Sequence, residues 1–303
     1  MKIRRPLGRR FIRIIITTQK TTYLKDALNM PNHVTNEIRV IGGTNKQRLA
    51  FIRAVTNKRG LIDFNNICRR PKDLNIEESF AVEVMATAIA GEPMGHLSLG
   101  QIKTPKEVEE DLLSRGMTPK HVHKVKTQAL MRIENKRRYG YYSWYDWSRA
   151  NWGTKWNAYA VEMPVKPIKQ RIKYGHKYRP THVLAYSKRV FKKQLARHAA
   201  NGGELVIRFD TAWCMPEPVY HAMASRFPHL DFEIRYADED LGSNCGRVYM
   251  HNGKWESEDI APCYRDQSPE ERLKWRKFAF ELCNPGMTPK EYGMDDNYEY
   301  LEE

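Results

Sequence analysis

The clearest alternation of apolar and polar positions lies between residues 204 and 254. Alternating apolar side chains predict strands at residues 205–209 and 230–236, because successive residues of a strand point to opposite faces. Between them, apolar residues that repeat every four positions predict a helix over 216–227. Asn252-Gly253 then predicts a hairpin turn. This order of elements is typical of one half of a ferredoxin-like split βαβ sandwich.

Residues 35–64 predict the other half of that sandwich. The pattern indicates a strand over 35–41, a helix over 45–56 and a short strand over 61–64. The predicted fold class is therefore α+β, a ferredoxin-like split βαβ sandwich with helical and basic-loop insertions.

The predicted domain organisation has three parts. Residues 1–29 form a basic N-terminal extension, residues 30–263 form the ferredoxin-like domain, and residues 264–303 form a C-terminal helix and an acidic tail. The insertions into the domain are expected at about 92–145 and 163–203.

A helical hairpin is predicted inside the first insertion. Thr104-Pro105-Lys106-Glu107 has the threonine, proline and glutamate of a helix start with a capping box. Helices over about 105–115 and 119–138 follow, joined at Gly116. A DNA-reading helix-turn-helix needs a similar sequence, but so does any other helical hairpin.

The composition excludes a membrane span and a disulfide framework. Across 303 residues the mean hydropathy is −0.69, and no apolar run approaches the roughly 20 residues that a bilayer requires. The five cysteines are odd in number and widely spaced, which suits a reducing compartment. We expect a cytoplasmic protein of a bacterial host, with no membrane partner.

The net charge of +15 is unevenly distributed. Residues 1–203 contain 40 basic against 15 acidic side chains, whereas residues 204–303 contain 11 against 21. Eleven basic residues lie between Lys166 and Arg197, and no acid lies between Glu162 and Glu204. Clusters of this density favour a polyanionic partner. Two alternatives are that they are surfaces exposed to solvent, or that the acidic residues of 204–303 neutralise them.

A nucleic-acid contact is therefore predicted at the basic extension of residues 1–29, at Arg137 and Arg138, and at two basic regions of the second insertion. Residues 166–179 are predicted as a basic loop, and residues 187–200 as an amphipathic helix with Phe191 and Leu195 on its apolar side. The candidate binding residues are Arg137, Arg138, Lys166, Lys169, Arg171, Lys173, Arg189, Lys193 and Arg197.

Eight aromatic residues interleaved with basic ones lie between Tyr139 and Trp156. Such a mixture can stack unpaired bases while it neutralises phosphates. The stronger expectation is packing, above all for Trp152 and Trp156, because aromatic side chains carry most of their weight in cores.

No catalytic motif or metal-ligand spacing is present in the sequence. Asp210, Cys214 and His221 are close enough in sequence to suggest a nucleophile and its base, but Cys214 follows a core-like Trp213 and His221 falls in a packed helix. His121 and His123 would point to different faces of a helix. We expect a protein that is not an enzyme, with no cofactor and no metal.

Four segments resemble the YubB-like, ferredoxin-fold proteins of bacteriophages and plasmids, over roughly residues 30–255. They are Met30-Pro31-Asn32-His33-Val34-Thr35-Asn36, Ile62-Asp63-Phe64-Asn65-Asn66-Ile67, Asn151-Trp152-Gly153-Thr154-Lys155-Trp156-Asn157-Ala158 and Phe209-Asp210-Thr211-Ala212-Trp213. The resemblance implies the fold without an iron–sulfur cluster and assigns no activity.

The expected function is that of a non-enzymatic phage or plasmid accessory protein. Its expected partner is nucleic acid or a nucleoprotein complex, bound through the basic surfaces. The alternative is an inhibitor that binds a host protein, for instance a factor of a defence system, through the acidic C-terminal segment or the aromatic residues.

Overall fold

The computed structural model describes residues 32–95, 102–175, 180–185 and 187–301, without the side chains of 170–175 and 180–185. The helices of this part are α1 (Asn45–Val55), α2 (Phe80–Ala90), α3 (Pro105–Ser114), α4 (Pro119–Tyr139), α5 (Trp144–Trp152), α6 (Lys188–Ala200), α7 (Glu217–Arg226) and α8 (Pro269–Cys283). The strands are β1 (His33–Ile41), β2 (Tyr159–Glu162), β3 (Gln170–Gly175), β4 (Pro180–Ala185), β5 (Leu205–Ala212), β6 (Asp231–Asp238), β7 (Cys245–His251) and β8 (Lys254–Ile260).

The elements named above all belong to one compact unit, His33–Glu303. The predicted basic extension at 1–29 lies outside the described residues, so it stays a prediction. Helix α8 packs against β6 and β7, which places the residues from 269 onwards in the same unit as the sheet.

Six strands form one antiparallel sheet in the order β2-β5-β1-β6-β7-β8. Strands β5 and β6 are connected through α7 and lie on either side of β1, which makes one split βαβ unit. Strands β1 and β2 lie on either side of β5 and make the second. The predicted α+β, ferredoxin-like fold is thus confirmed, and the β7–β8 hairpin extends its sheet through the predicted turn at Asn252-Gly253.

The strand predicted at 61–64 is wrong, because the partner of β1 in its split unit is β2, far along the chain. Ile62 makes an isolated bridge to Thr56, and Asp63 then caps a 3₁₀ turn at Phe64–Asn66 through a hydrogen bond to the Asn65 N–H. An Asp that hydrogen-bonds its own downstream backbone ends an extended segment.

The first insertion contains the predicted helical hairpin, α3 and α4. Both helices begin at a threonine that accepts a backbone N–H, and Thr104 forms the predicted capping box with Glu107. Helix α2 precedes the insertion predicted at 92–145 but packs with α3 and α4 around a separate apolar cluster that includes Met85, Val108 and Val125.

Part of the basic loop predicted at 166–179 is instead a strand, because residues 170–175 form β3. Strands β3 and β4 pair in an antiparallel two-stranded sheet, with Arg171 opposite Leu184 and Lys173 opposite His182. The β-branched and aromatic residues of these segments favour such pairing over a loop.

The two faces of the six-stranded sheet differ in chemistry. Helices α1 and α7 cover one face, where Phe51 of α1 packs against Phe227 and Phe232. On the other face the buried Glu37 lies opposite Arg208 and Arg235 and pairs with both guanidinium groups. The positive charges of these two arginines are therefore offset by a carboxylate on the neighbouring strand.

Candidate nucleic-acid interface

Helix α6 has an apolar side that is buried and a basic side that is exposed, as the sequence predicts. Ser187 caps the helix by accepting the Val190 N–H, and Phe191 and Leu195 are buried. Arg189, Lys193 and Arg197 are exposed at four-residue spacing on the opposite side. We call these three residues the basic ridge.

The cations of the basic ridge have no acidic partner in the described part of the chain. No ion pair involving Arg189, Lys193 or Arg197 is found there, because acids are missing from the surrounding sequence between Glu162 and Glu204. The turn after α1 adds the exposed Lys58 and Arg59 beside α6, since Gly60 of this turn packs against Phe191.

Arg137 and Arg138 are exposed at the end of α4, but each already has a carboxylate partner. Arg137 donates two hydrogen bonds to Glu134, at 2.8 and 2.6 Å. Arg138 donates to Asp73 at 3.1 Å, and its guanidinium lies over the Tyr139 ring. These two residues are therefore poorer phosphate ligands than the ridge.

The remaining predicted residues belong to the second insertion. Lys166 and Lys169 are exposed in the segment between β2 and β3. Arg171 and Lys173 lie on β3, and their side chains fall outside the described residues. The structure brings the three ridge residues together on one helix. The other candidate residues lie on other elements: Arg137 and Arg138 on α4, and the rest on β3 or in the segment before it.

The aromatic residues between 139 and 156 divide into a buried and an exposed group. Trp152 is buried against Phe64 and Trp147, and its Nε1–H donates to the Cys68 carbonyl at 2.9 Å. Packing is confirmed for Trp152 and wrong for Trp156, whose side chain remains 37% exposed.

The segment Asn151–Ala158 contacts the end of β5. The Thr154 hydroxyl donates to the Ala212 carbonyl at 2.8 Å and accepts the Ala212 N–H at 3.1 Å. Gly153 ends α5 in the left-handed region, with φ +77, and a Cβ there would lie 2.8 Å from Pro218. Two segments whose contacting residues are 58 positions apart in sequence thus form one surface.

Trp213, the residue after β5, points away from the core. Alternation from Leu205, Ile207 and Phe209 predicts an inward side chain at this position, but Trp213 has φ +69 and its side chain is 36% exposed. A left-handed backbone reverses the direction that strand alternation gives, and the sequence carries no signal of it because the residue is not glycine.

The residues suggested for nucleophilic catalysis are not assembled. Among the described residues no hydrogen bond joins Cys214 to His221, whose ring stacks on Trp255 and lies 3.5 Å from Glu217. Asp210 instead accepts a hydrogen bond from Thr35 at 3.1 Å, and burial raises the pKa of its carboxyl.

The thiol of Cys214 is not activated either. Loss of water around the sulfur raises its pKa, and the charge of Asp238 adds to this effect. A raised pKa lowers the thiolate fraction, so we expect iodoacetamide at pH 8 to modify Cys214 more slowly in the folded protein than in urea. Mass spectrometry of the modified peptide measures both rates. Faster modification in the folded protein would show an activated nucleophile and contradict a non-enzymatic function.

Neither a cluster of metal ligands nor a membrane-spanning helix is found in the described part of the chain. No group of three or more His, Cys, Asp or Glu side chains could hold a metal ion within these residues. None of their helices is both long enough and apolar enough to cross a membrane.

A match to a protein-family model supports the fold. A family model described as "Ferredoxin-like domain in Api92-like protein" matches residues 191–276, from within α6 to within α8. The fold is ferredoxin-like. A crystal structure of the protein Api92 from Yersinia pseudotuberculosis is similar with a TM-score of 0.34 and 10% identity, covering 77% of this chain and 99% of that chain. No curated protein matches this chain.

Proposed function

We propose that this chain is a non-enzymatic accessory protein of a phage or plasmid that binds nucleic acid or a nucleoprotein complex in the cytoplasm of a bacterial host. The observation that carries the proposal is the basic ridge on α6, where Arg189, Lys193 and Arg197 are exposed without an acidic partner among the described residues. The assignment to phages and plasmids rests on the sequence resemblance alone.

The spacing of the ridge suits a phosphate backbone. Residues four apart on a helix are about 6 Å apart along its axis. The ridge is therefore a line of cations on a rigid element, and lines of cations follow a regularly charged polymer better than scattered cations do. Lys58 and Arg59 are exposed in the turn that contacts α6 at Phe191 and Lys192.

The test is a binding titration on the full chain with labelled single-stranded and duplex DNA and with RNA, over a series of salt concentrations. Each lost phosphate contact changes the slope of log K against log salt by about 0.9 for duplex and about 0.7 for single strands. The triple variant Arg189→Glu, Lys193→Glu, Arg197→Glu should therefore lower this slope by about 2 to 3 and weaken binding at least about tenfold.

A matched control reverses the same amount of charge elsewhere. Lys106, Arg115 and Lys120 are exposed in the α3–α4 hairpin, and changing all three to Glu gives the same net charge as the ridge variant. We expect the control to keep the salt slope of the unmodified protein. Equal losses in both variants would mean that net charge alone drives binding, which contradicts a ridge interface.

The second candidate function is binding to a host protein. It is favoured by the exposed Met287, Tyr292, Tyr300 and Leu301 in the acidic C-terminal segment, because large apolar side chains on a surface mark contact sites. If no nucleic acid is bound at low salt, a pull-down from nuclease-treated host lysate tests this function, with Tyr300→Asp and Leu301→Asp as the variant that should lose the partner.

A further inference from the structure

A cleft of about 560 Å³ opens between the end of α5 and the end of β5, outside the basic ridge. The cations and the exposed aromatic ring of this cleft belong to Arg149, Lys155 and Trp213. Its wall includes Gly153 and Ala212. The exposed Trp156 adjoins it through Lys155. We call this site the tryptophan cleft.

The tryptophan cleft carries a net positive charge, because Arg149 and Lys155 line it against the single carboxylate of Asp146. The Lys155 ammonium lies 4.7 Å from the Trp156 ring centroid and 5.0 Å from that of Trp213, and the Arg149 guanidinium lies 5.5 Å from Tyr145. Neither cation forms an ion pair with an acid of the described residues. Asp146 also lines the cleft, and it accepts the Tyr142 N–H in the first turn of α5.

The backbone that carries the exposed ring of Trp213 is held in place by its neighbours. A left-handed φ is a genuine outlier for a bulky residue and persists only where the surroundings fix it. The Trp213 carbonyl accepts a hydrogen bond from Asn244 at 2.8 Å, and Thr154 and Thr211 fix Ala212 and Cys214 on either side. This fixed backbone directs the indole to the surface, where a base can stack on it.

We propose that the tryptophan cleft binds an unpaired base of single-stranded nucleic acid, stacked on Trp213, with its phosphates paired to Arg149 and Lys155. Aromatic rings beside cations are how proteins hold single strands, because every base offers a π-face while the cations meet the backbone. A base inside a duplex is already stacked and cannot reach the ring. This inference rests on the proposed function and specifies its substrate as single-stranded.

A series of contacts joins the segment that follows the tryptophan cleft to helix α6. Asn157, next to Trp156, donates to Asp63 at 2.7 Å and accepts the Phe64 N–H at 2.9 Å. The turn that leads into Asp63 contains Gly60, which packs against Phe191 in the first turn of α6. Phe191 is on the buried side of α6, opposite the basic ridge, so the cleft is a base site of its own and not an extension of the ridge.

The test compares three labelled probes of equal length on the full chain: a single-stranded oligothymidine, the same length of abasic strand, and a duplex. The unmodified protein should bind oligothymidine more tightly than the abasic strand. Trp213→Ala should weaken oligothymidine binding by roughly 5- to 100-fold and leave the other two probes within about twofold. Phe80→Ala, which removes an exposed aromatic side chain outside the cleft, is the matched control and should change none of them.

The outcomes separate this inference from the proposed function. Binding of oligothymidine and abasic strand with equal affinity by the unmodified protein overturns the stacked base while leaving a phosphate-binding ridge intact, and it needs no variant to fold. Preference for the duplex overturns the single-strand assignment in the same way. If the protein binds no probe at low salt, the proposed function and this inference are both overturned. The same follows if it binds polyglutamate as tightly as it binds the nucleic-acid probes.

Discussion

Replacing Trp152 with Ala is expected to lower the free energy of unfolding by about 3–5 kcal/mol, the range for large aromatic residues removed from a core. The indole is 1% exposed and contacts the rings of Phe64 and Trp147 edge to face. Its Nε1–H satisfies the Cys68 carbonyl, and the Arg70 guanidinium lies 5.0 Å from its centroid. Truncation leaves a cavity and also an unpaired carbonyl. Urea unfolding followed by far-ultraviolet circular dichroism measures the loss.

Trp156→Ala is the matched control, four residues further along the same segment. Its side chain is 37% exposed, with Tyr159 as an edge-to-face neighbour at 6.2 Å. We expect a loss below about 1 kcal/mol, as for surface substitutions in general. Similar losses for the two tryptophans would mean that Trp156 is also packed, and would remove it from the surface beside the tryptophan cleft.

Local pattern was sufficient to predict the elements whose own residues alternate regularly between buried and exposed positions. The β5–α7–β6 unit and α6 could be recognised because burial alternates with the period of each element. The four-residue strand β2 could not, since it carries a left-handed Ala160 and a register shift, and it pairs with β5 across the whole second insertion. A strand this short is defined by its partner rather than by its own pattern.

The candidate site, too, was predictable only where its geometry depends on residues that are close in sequence. Exposure of Arg189, Lys193 and Arg197 follows from helical spacing alone. The neutralisation of Arg138 depends on Asp73, 65 residues away, and no spacing rule indicates such a pair. In the sequence, Arg149 and Lys155 stand out only as basic residues interleaved with the aromatic residues between Tyr139 and Trp156. Their proximity to Trp213 depends on the contact between Thr154 and Ala212.

Arg132→Met is expected to lower the free energy of unfolding by about 3–5 kcal/mol, the usual loss when one partner of a buried ion pair is removed. The Arg132 side chain is buried on α4, where Nε donates to the Met94 carbonyl at 2.6 Å and Nη1 to Glu78 at 2.9 Å. Nη2 lies 3.6 Å from the buried Glu83 carboxylate. Methionine fills much of the volume but supplies no charge for Glu83, so the buried carboxylate loses the Arg132 guanidinium as a counterion.

Arg137→Met on the same helix separates burial from the mere presence of an ion pair. Arg137 makes a two-bond pair with Glu134, as good in geometry as the contacts of Arg132, but it lies in solvent, where water and salt screen the attraction. We expect its urea midpoint to equal that of the unmodified protein. If Arg132→Met also left the midpoint unchanged, the helical insertion would not depend on this buried cation, and its apolar cluster around Met85 and Val125 would be the part that holds α2 against α4.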